Sequence, residues 1–268
     1  MSTLAETGAR LLGGTVRRAE MLAGGDLSQL VRLVLTDGRE AIVKKGASSR
    51  AEAAMLEAIA AGGAPAPKVL AVGDDALVLE VVPAGGSLHG AWRSLGTAIA
   101  ALHTTAGERY GWAQDYAFGP VAIENAWSGD WTSFWAERRL LVNIPHVPVA
   151  LGKRIEELAA DISNRLPRNP RPSLLHGDLW SGNVLVDDNR VSAFIDPACY
   201  YGPGEVDLAM LTLFDHPSAA FYSAYGELEP GHDERLVLYR LWPALVHLRL
   251  FGGGYQALVE RLLTAAGV

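Results

Sequence analysis

The stretch from Leu174 to Asp207 constrains the fold more than any other part of this sequence. Its residues are LLHGDLWSGNVLVDDNRVSAFIDPACYYGPGEVD. Apolar and β-branched residues at 184–186 and again at 191–195 flank the polar turn DDNR, and this pattern predicts a short β-hairpin. A hairpin here brings together the segments on either side of it, which contain the polar residues best suited to chemistry.

Three oxygen-bearing side chains lie around this predicted hairpin. Asp178 and Asn183 precede it, and Asp196 follows it. Mg²⁺ prefers oxygen ligands and is usually held by one or two protein groups plus substrate phosphates, a role that suits Asn183 and Asp196. Asp178 can instead accept a proton from an attacking hydroxyl. Each residue alone is more often a turn or cap residue, but HGDxxxxN, a hairpin and then IDP are hard to explain as independent turns.

The N-terminal part of the chain is predicted to be rich in strands. Two β-branched runs within residues 30–44 flank a polar turn and predict a hairpin, and residues 49–61 predict an alanine-rich helix that stops at two glycines. Further short strands are predicted at 69–72 and 76–82. The segment PAGG at 83–86 breaks the pattern and is the predicted boundary between two lobes.

The remainder of the chain is predicted to be mainly helical, apart from the hairpin described above. Helical spacing of apolar residues occurs at 95–103, 131–141, 151–166, 206–213 and 234–251. The sequence therefore predicts an α+β fold of two lobes, a small β-rich N-terminal lobe (1–82) and a larger helical C-terminal lobe (83–268).

Composition excludes several classes of function. The chain has 268 residues and a formal net charge of -7, so it lacks the basic surface typical of nucleic-acid binding. No stretch approaches the roughly 20 apolar residues that span a membrane, and the N-terminus does not resemble a signal peptide. The single cysteine, Cys199, cannot form an intramolecular disulfide. We therefore expect a soluble cytoplasmic protein, and its oligomeric state is not predicted.

The motif residues resemble a known family. The order HxDxxxxN, strand, Asp is similar to the catalytic core that protein kinases and aminoglycoside phosphotransferases share. The fuller strings HGDLWSGN and DPACYYG resemble the fructosamine kinase (ketosamine 3-kinase) family, as do LGTAIAALH, WSGDWTSFWAERRL and LFGGGY elsewhere in the chain. The resemblance implies a protein-kinase-like fold and an ATP- and Mg²⁺-dependent kinase that phosphorylates a sugar hydroxyl of fructosamine- or ribulosamine-type ketoamines.

The resemblance also implies roles for individual residues. Asp178 would be the catalytic base, and Asn183 and Asp196 the metal ligands. Lys44 in AIVK would contact the ATP phosphates, whereas Lys45, the competing candidate, would point to the opposite face of its strand. His176 and Asp207 would brace the catalytic loop, and the aromatic cluster of 127–135 could be core or a wall for sugar stacking.

Glu52 has two interpretations. It resembles the helix glutamate that pairs with the kinase lysine, Lys44. However, Ser49 and Glu52 also match the S-x-x-E pattern of a capping box, in which both side chains only stabilise the start of a helix.

The remaining predicted nucleotide contacts depend mainly on position. The small residues around Gly25 and Ser28 precede the first long strand and would let backbone N–H groups approach phosphates. Glu80 and Val82 lie at the predicted hinge between the lobes, where backbone groups would bind adenine.

Three departures from the family pattern leave the substrate open. Pro203-Gly204-Glu205 replaces an acidic-Arg-Glu run, Asp215 lies where a glycine is expected, and Val246 replaces an asparagine. An aminoglycoside, choline or other small-alcohol phosphotransferase is therefore the alternative within this fold. A non-catalytic kinase-like binding protein is a further alternative, although no core residue is lost.

Overall fold

The computed structural model describes residues 3–22 and 29–268. The N-terminal part contains a five-stranded antiparallel sheet with the strand order β1-β2-β3-β5-β4. Its elements in chain order are α1 (Leu4–Leu11), β1 (Val16–Leu22), β2 (Leu30–Leu35), β3 (Glu40–Lys45), α2 (Ser49–Ala61), β4 (Val69–Val72) and β5 (Ala76–Leu79). The predicted hairpin and helix are confirmed. The strand predicted at 76–82 ends early, at Leu79, and α1 and β1 were not predicted.

Successive side chains of β3 lie on opposite faces of the sheet, and the two faces pack against different helices. Val43 is fully buried on the face that α1 covers, and Gly8 of α1 lies so close that a Cβ there would be 2.4 Å from Val43 Cγ2. Because successive side chains point to opposite faces, Lys44 points to the other side of the sheet, where α2 packs. Lys44 is 7% exposed whereas Lys45 lies on the surface.

A segment without helix or strand, residues 80–87, joins this sheet to the C-terminal part, and the N–H of Gly86 donates to Val186 O at 2.8 Å. The helices beyond it are α3 (Leu88–Thr104), α4 (Trp131–Trp135), α5 (Val149–Arg165), α6 (Glu205–Phe214), α7 (Ala219–Tyr225), α8 (His232–Phe251) and α9 (Gln256–Ala265). Three two-stranded ladders lie among them, formed by β6 (Tyr116–Phe118) with β7 (Val121–Ile123), β8 (Ser173–Leu174) with β11 (Tyr201–Gly202), and β9 (Val184–Asp187) with β10 (Arg190–Phe194). The last of these is the hairpin predicted from the central motif.

The helix predicted at 131–141 is only partly α-helical. After Trp135 the chain forms one π-helical turn, Ala136–Leu140, and then a 3-10 segment that contains Pro145. The π turn contains Arg139, which is fully buried with its guanidinium 4.3 Å from the centre of the Tyr200 ring. A proline and a buried cation stacked on an aromatic ring account for the departure from regular α-helix.

Three of the four rings in the aromatic cluster of 127–135 belong to the core. Trp131 and Trp135 are fully buried and Phe134 is 1% exposed, whereas Trp127 remains 39% exposed. The core of the C-terminal part also includes residues of α2, such as Met55 and Ile59. Helix α2 therefore packs against both the sheet and the helices and fixes the sheet over them. Within residues 3–22 and 29–268, no helix combines the length and apolar character needed to cross a membrane.

Candidate active site

A cleft of about 360 Å³ lies between the sheet and the helical part, and five of the residues predicted from the sequence line it. The predicted residues in this lining are Lys44, Glu52, Asp178, Asn183 and Asp196. They come from β3, α2, the segment before β9 and the segment after β10, so the fold brings together residues up to 152 positions apart.

Lys44 connects the two sides of the cleft. Its Nζ lies 2.7 Å from Glu52 Oε1 and 2.6 Å from Asp196 Oδ1. Burial alone would lower the pKa of Lys44, but the two carboxylates outweigh burial and raise the pKa above its usual value. The ammonium is therefore charged and held at a fixed position between the lobes.

Glu52 forms the ion pair rather than the capping box. Helix α2 begins at Ser49, and the hydroxyl of Ser49 donates to Gly46 O at 2.6 Å instead of capping the helix. No side-chain cap is present at this helix start, whereas the Glu52 carboxylate is bonded to Lys44. The hydrogen bonds that a capping box requires are therefore absent at the start of α2.

The segment HGDLWSGN forms a tight loop that fixes Asp178 beside Asn183. The side-chain amide of Asn183 donates both to Asp178 O (2.8 Å) and to Asp178 Oδ2 (2.9 Å). Gly177 has a φ of +81°, and a Cβ at that position would lie 2.0 Å from the carbonyl oxygen of Ala198. Only glycine fits this turn, because other residues would meet both backbone strain and a collision with the backbone.

Burial raises the pKa of Asp178 to about 7, although the hydrogen bond from Asn183 acts in the opposite direction. The neighbouring carboxylates of Asp196 and Asp207 also raise this pKa. Asp196 itself has a left-handed φ of 52°, a conformation that aspartate tolerates better than most residues. The carboxylates of Asp178 and Asp196 thus line one cleft, and each lies at or next to a residue with a positive φ.

Asp207 and His176 brace the catalytic loop from behind, as the sequence predicted. The fully buried carboxylate of Asp207 accepts from the N–H of His176 (2.7 Å) and of Gly177 (2.9 Å). Nε2 of His176 bonds to Ile195 O (3.0 Å), and its Nδ1 accepts from the N–H of Asp178 (3.3 Å). These two bonds require a neutral ring, and burial lowers the pKa of His176 accordingly.

Two side chains that the sequence did not single out extend this brace. Nε2 of His103 lies 3.1 Å from Asp207 Oδ2, and Nδ1 of the same ring lies 2.9 Å from the hydroxyl of Tyr225. His103 ends the LGTAIAALH segment of α3. The position of His103 in that family-like segment was the only sequence signal that it has a role. Its partners, Asp207 on α6 and Tyr225 on α7, could not be inferred from the spacing of residues.

The structure shows the contacts of the residues that depart from the family pattern. The carboxylate of Asp215 accepts from the N–H of Ser181 (2.8 Å) and so supports the catalytic loop. Glu205 makes two bonds to Arg235, at 2.6 and 2.7 Å. Val246 lines the cleft.

The other four predicted nucleotide contacts are Gly25, Ser28, Glu80 and Val82. Gly25 and Ser28 lie outside the described residues. Glu80 and Val82 follow β5 and are absent from the lining of the cleft, and the Glu80 carboxylate accepts from the N–H of Lys68 at 2.9 Å. Their role in binding adenine stays a prediction.

A buried lysine paired with a helix glutamate, under an antiparallel sheet and opposite the loop HGDxxxxN, defines a phosphotransferase of the protein-kinase-like class. Such enzymes use ATP, generally with a divalent metal ion. The family model described as fructosamine kinase matches residues 4–266, so the chain belongs to the fructosamine kinase family.

Individual relatives agree with this membership. The chain is 36% identical over 270 residues to the Probable ketoamine kinase of Synechocystis sp., covering 94% of this chain and 87% of that protein. It is 34% identical over 202 residues to the chloroplastic protein-ribulosamine 3-kinase of Arabidopsis thaliana, covering 70% of this chain and 60% of that protein.

Solved structures show the same two-lobed α+β fold. The fructosamine-3-kinase homologue from Thermobifida fusca superposes with a TM-score of 0.89 at 30% identity, with 98% of each chain covered. An aminoglycoside phosphotransferase in complex with ADP and hygromycin B gives a TM-score of 0.66 at 18% identity, with 99% of this chain and 95% of that chain covered. The second similarity concerns the fold alone.

Proposed function

We propose that this chain is a kinase that transfers the γ-phosphoryl group of ATP, with Mg²⁺, to a sugar hydroxyl of a ketoamine such as a fructosyl- or ribulosylamine. The observation that carries the proposal is the convergence of Lys44, Asp178, Asn183 and Asp196 on one cleft. The names of the relatives, ketoamine kinase and protein-ribulosamine 3-kinase, supply the acceptor class.

Lys44 and Glu52 are the proposed phosphate-binding pair. The Lys44 ammonium is fixed by Glu52 and points toward Asp196, so it can contact ATP phosphates without reorganising. Gly25 and Ser28 are proposed to contribute backbone contacts to the phosphates. The N–H of Val82 has no partner among the described residues, and we propose that it donates a hydrogen bond to adenine. The boundary between the two lobes is proposed at 82–83.

Asn183 and Asp196 have the oxygen atoms that a magnesium site needs. The Asn183 amide nitrogen is used by Asp178, which turns the amide oxygen away from Asp178 and leaves it without a partner among the described residues. Asp196 uses Oδ1 for Lys44 and keeps Oδ2 for a ligand. Hard oxygen donors of this kind fit Mg²⁺, which when bound would neutralise charge on the transferring phosphoryl group.

Asp178 is the proposed catalytic base. As the acceptor hydroxyl oxygen forms its bond to the γ-phosphorus, the bond from that phosphorus to the ADP oxygen breaks, and the hydroxyl proton passes to the Asp178 carboxylate. The raised pKa of Asp178 suits this proton transfer, because a base works best when its pKa is close to the operating pH.

A substrate panel tests the proposal. ADP release is measured with a fructosylamine, a ribulosylamine, an aminoglycoside and choline at equal concentration, and mass spectrometry checks that the product carries one added phosphate. We expect both ketoamines to exceed the other two acceptors clearly, because a site built to hydrogen-bond a substrate rejects analogues that lack its polar groups. A higher rate with the aminoglycoside or choline would contradict the ketoamine assignment and leave the phosphotransferase assignment in place.

A further inference from the structure

Part of the lining of the cleft has no role in phosphoryl transfer as proposed above. This part is apolar and comes from the β6–β7 hairpin, the catalytic loop and the last turns of α8. We call this region the acceptor wall, and it consists of Phe118, Trp180, Val246, Leu250 and Phe251. Six large apolar side chains are exposed among the described residues, and Trp180 (40%) and Phe251 (46%) of the acceptor wall are two of them. Exposed apolar surface that adjoins a catalytic carboxylate is suited to contact a substrate.

The ring of Phe251 is held in place by an aromatic cluster around His247. The His247 ring lies 5.5 Å from that of Phe251, 4.7 Å from that of Phe214 and 5.0 Å from that of Tyr255. Its Nδ1 bonds to Pro243 O at 2.8 Å, and burial lowers its pKa. His247 is therefore a neutral support against which Phe251 packs.

The charges that line the cleft disfavour an anionic substituent. Among the described residues, the lining of the cleft contains three carboxylates, Glu52, Asp178 and Asp196, and one ammonium, that of Lys44. That ammonium is already held by Glu52 and Asp196. The acceptor wall also lies at the C-terminal end of the 20-residue helix α8, where the helix dipole is negative and favours a cation.

We propose that the acceptor wall binds the amine half of the ketoamine and selects amines with an apolar chain and no carboxylate next to the secondary ammonium. This proposal rests on the proposed function, since it names the acceptor of the same site. The sugar hydroxyl lies at Asp178, the ammonium lies in the negative surroundings of the cleft, and the apolar chain contacts Phe251 and Leu250. A carboxylate next to the ammonium would meet Asp178 and the helix end without a cation to pair with.

Three ketoamines of one sugar, made with phenethylamine, phenylalanine and ethylamine, test the two parts of the proposal separately. The first two differ by one carboxylate, and the first and third differ by one phenyl ring. We expect kcat/KM for the phenethylamine derivative to exceed that for the phenylalanine derivative by ~10-fold or more. We expect it to exceed that for the ethylamine derivative by ~10-fold, as is typical of apolar pocket contacts.

Two substitutions at Phe251 link these ratios to the acceptor wall. Phe251→Ala should reduce the advantage of phenethylamine over ethylamine to within ~3-fold, because the ring loses its partner. Phe251→Arg should raise kcat/KM for the phenylalanine derivative and lower it for the phenethylamine derivative, because the new cation pairs with the carboxylate. Val149→Arg is the control for added charge, since Val149 is 77% exposed and lies outside the cleft.

The outcomes separate the two proposals. Normal turnover of all three ketoamines with equal kcat/KM, or ratios that Phe251→Arg and Val149→Arg change alike, would overturn the role of the acceptor wall alone. Absence of phosphorylated product with every ketoamine would overturn the proposed function, and the acceptor wall with it.

Discussion

The two ends of the cleft are built in different ways. At the phosphoryl-transfer end, polar side chains hold one another, with Lys44 between two carboxylates and Asn183 bonded twice to Asp178. At the acceptor end, the lining consists of apolar side chains, such as Phe118 and Phe251, that come from distant parts of the chain. Phosphoryl transfer requires polar groups at fixed positions. The choice of acceptor depends instead on the shape and charge of a surface that few hydrogen bonds hold in place.

The difference implies that the two ends tolerate substitution differently. At the phosphoryl-transfer end, the buried Lys44 ammonium is paired with Glu52 and Asp196, so loss of either carboxylate leaves a buried charge with one partner fewer. The exposed rings of the acceptor wall have no such partners and can change without unfolding the chain. Substitutions at the first end should therefore impair turnover or folding, and those at the second should change only which acceptor is used.

The largest effect on stability is expected for Gly177→Ala in the catalytic loop. The matched control is Gly63→Ala, because Gly63 has nearly the same φ, +82°, but no heavy atom within 4 Å of a built Cβ. The backbone strain alone should cost about 1 kcal/mol of unfolding free energy in both variants. The collision with Ala198 O should add about 1–3 kcal/mol in Gly177→Ala only. Denaturant unfolding measures both, and equal losses would show that the loop is not tightly constrained.

The metal requirement should respond to Asp196→Asn without a change at the acceptor end. Asparagine also tolerates the left-handed φ of 52°, so the fold should be kept. The Mg²⁺ concentration for half-maximal rate should rise at least ~10-fold, since even changes behind metal ligands cost this much affinity. A magnesium titration of kcat, with KM for the ketoamine measured alongside, checks this. An unchanged Mg²⁺ dependence would remove Asp196 from the metal site.

The smallest effect concerns the ion pair of Glu52. Glu52→Gln keeps a hydrogen bond to Lys44 but loses its charge, and Asp196 still holds the ammonium, so KM for ATP should rise only ~5-fold. Asp74→Asn is the control, because the Arg50–Asp74 pair is exposed and such pairs contribute little. If the two variants have the same KM for ATP, the Lys44–Glu52 pair does not serve nucleotide binding.

The patterns that predicted the convergence of Lys44, Glu52, Asp178, Asn183 and Asp196 on one cleft are local in the sequence. Asp178, Asn183 and Asp196 lie within 19 residues around one hairpin, so their proximity follows from a turn pattern. The strands at 30–44 and the helix at 49–61 likewise follow from short periodic patterns, and these elements bring Lys44 to Glu52.

The acceptor end could not be predicted in this way. The β6–β7 hairpin has strands of three residues, too short for a periodic signal, and the end of α8 reaches it only through tertiary packing. The π turn at 136–140 was also unpredictable, because it depends on the burial of Arg139 against Tyr200. Apolar residues that form a binding surface have the same sequence pattern as apolar residues of the core.

Turnover by Asp178→Ala tests the central claim most directly. The claim predicts that the variant binds ATP with nearly unchanged affinity while kcat with a fructosylamine falls by at least ~100-fold. ATP affinity by titration calorimetry and phosphorylated product by mass spectrometry, both compared with the wild-type chain, give the two numbers. A variant that binds ATP normally and forms the phosphorylated ketoamine at close to the wild-type rate would contradict the assignment of Asp178 as the catalytic base.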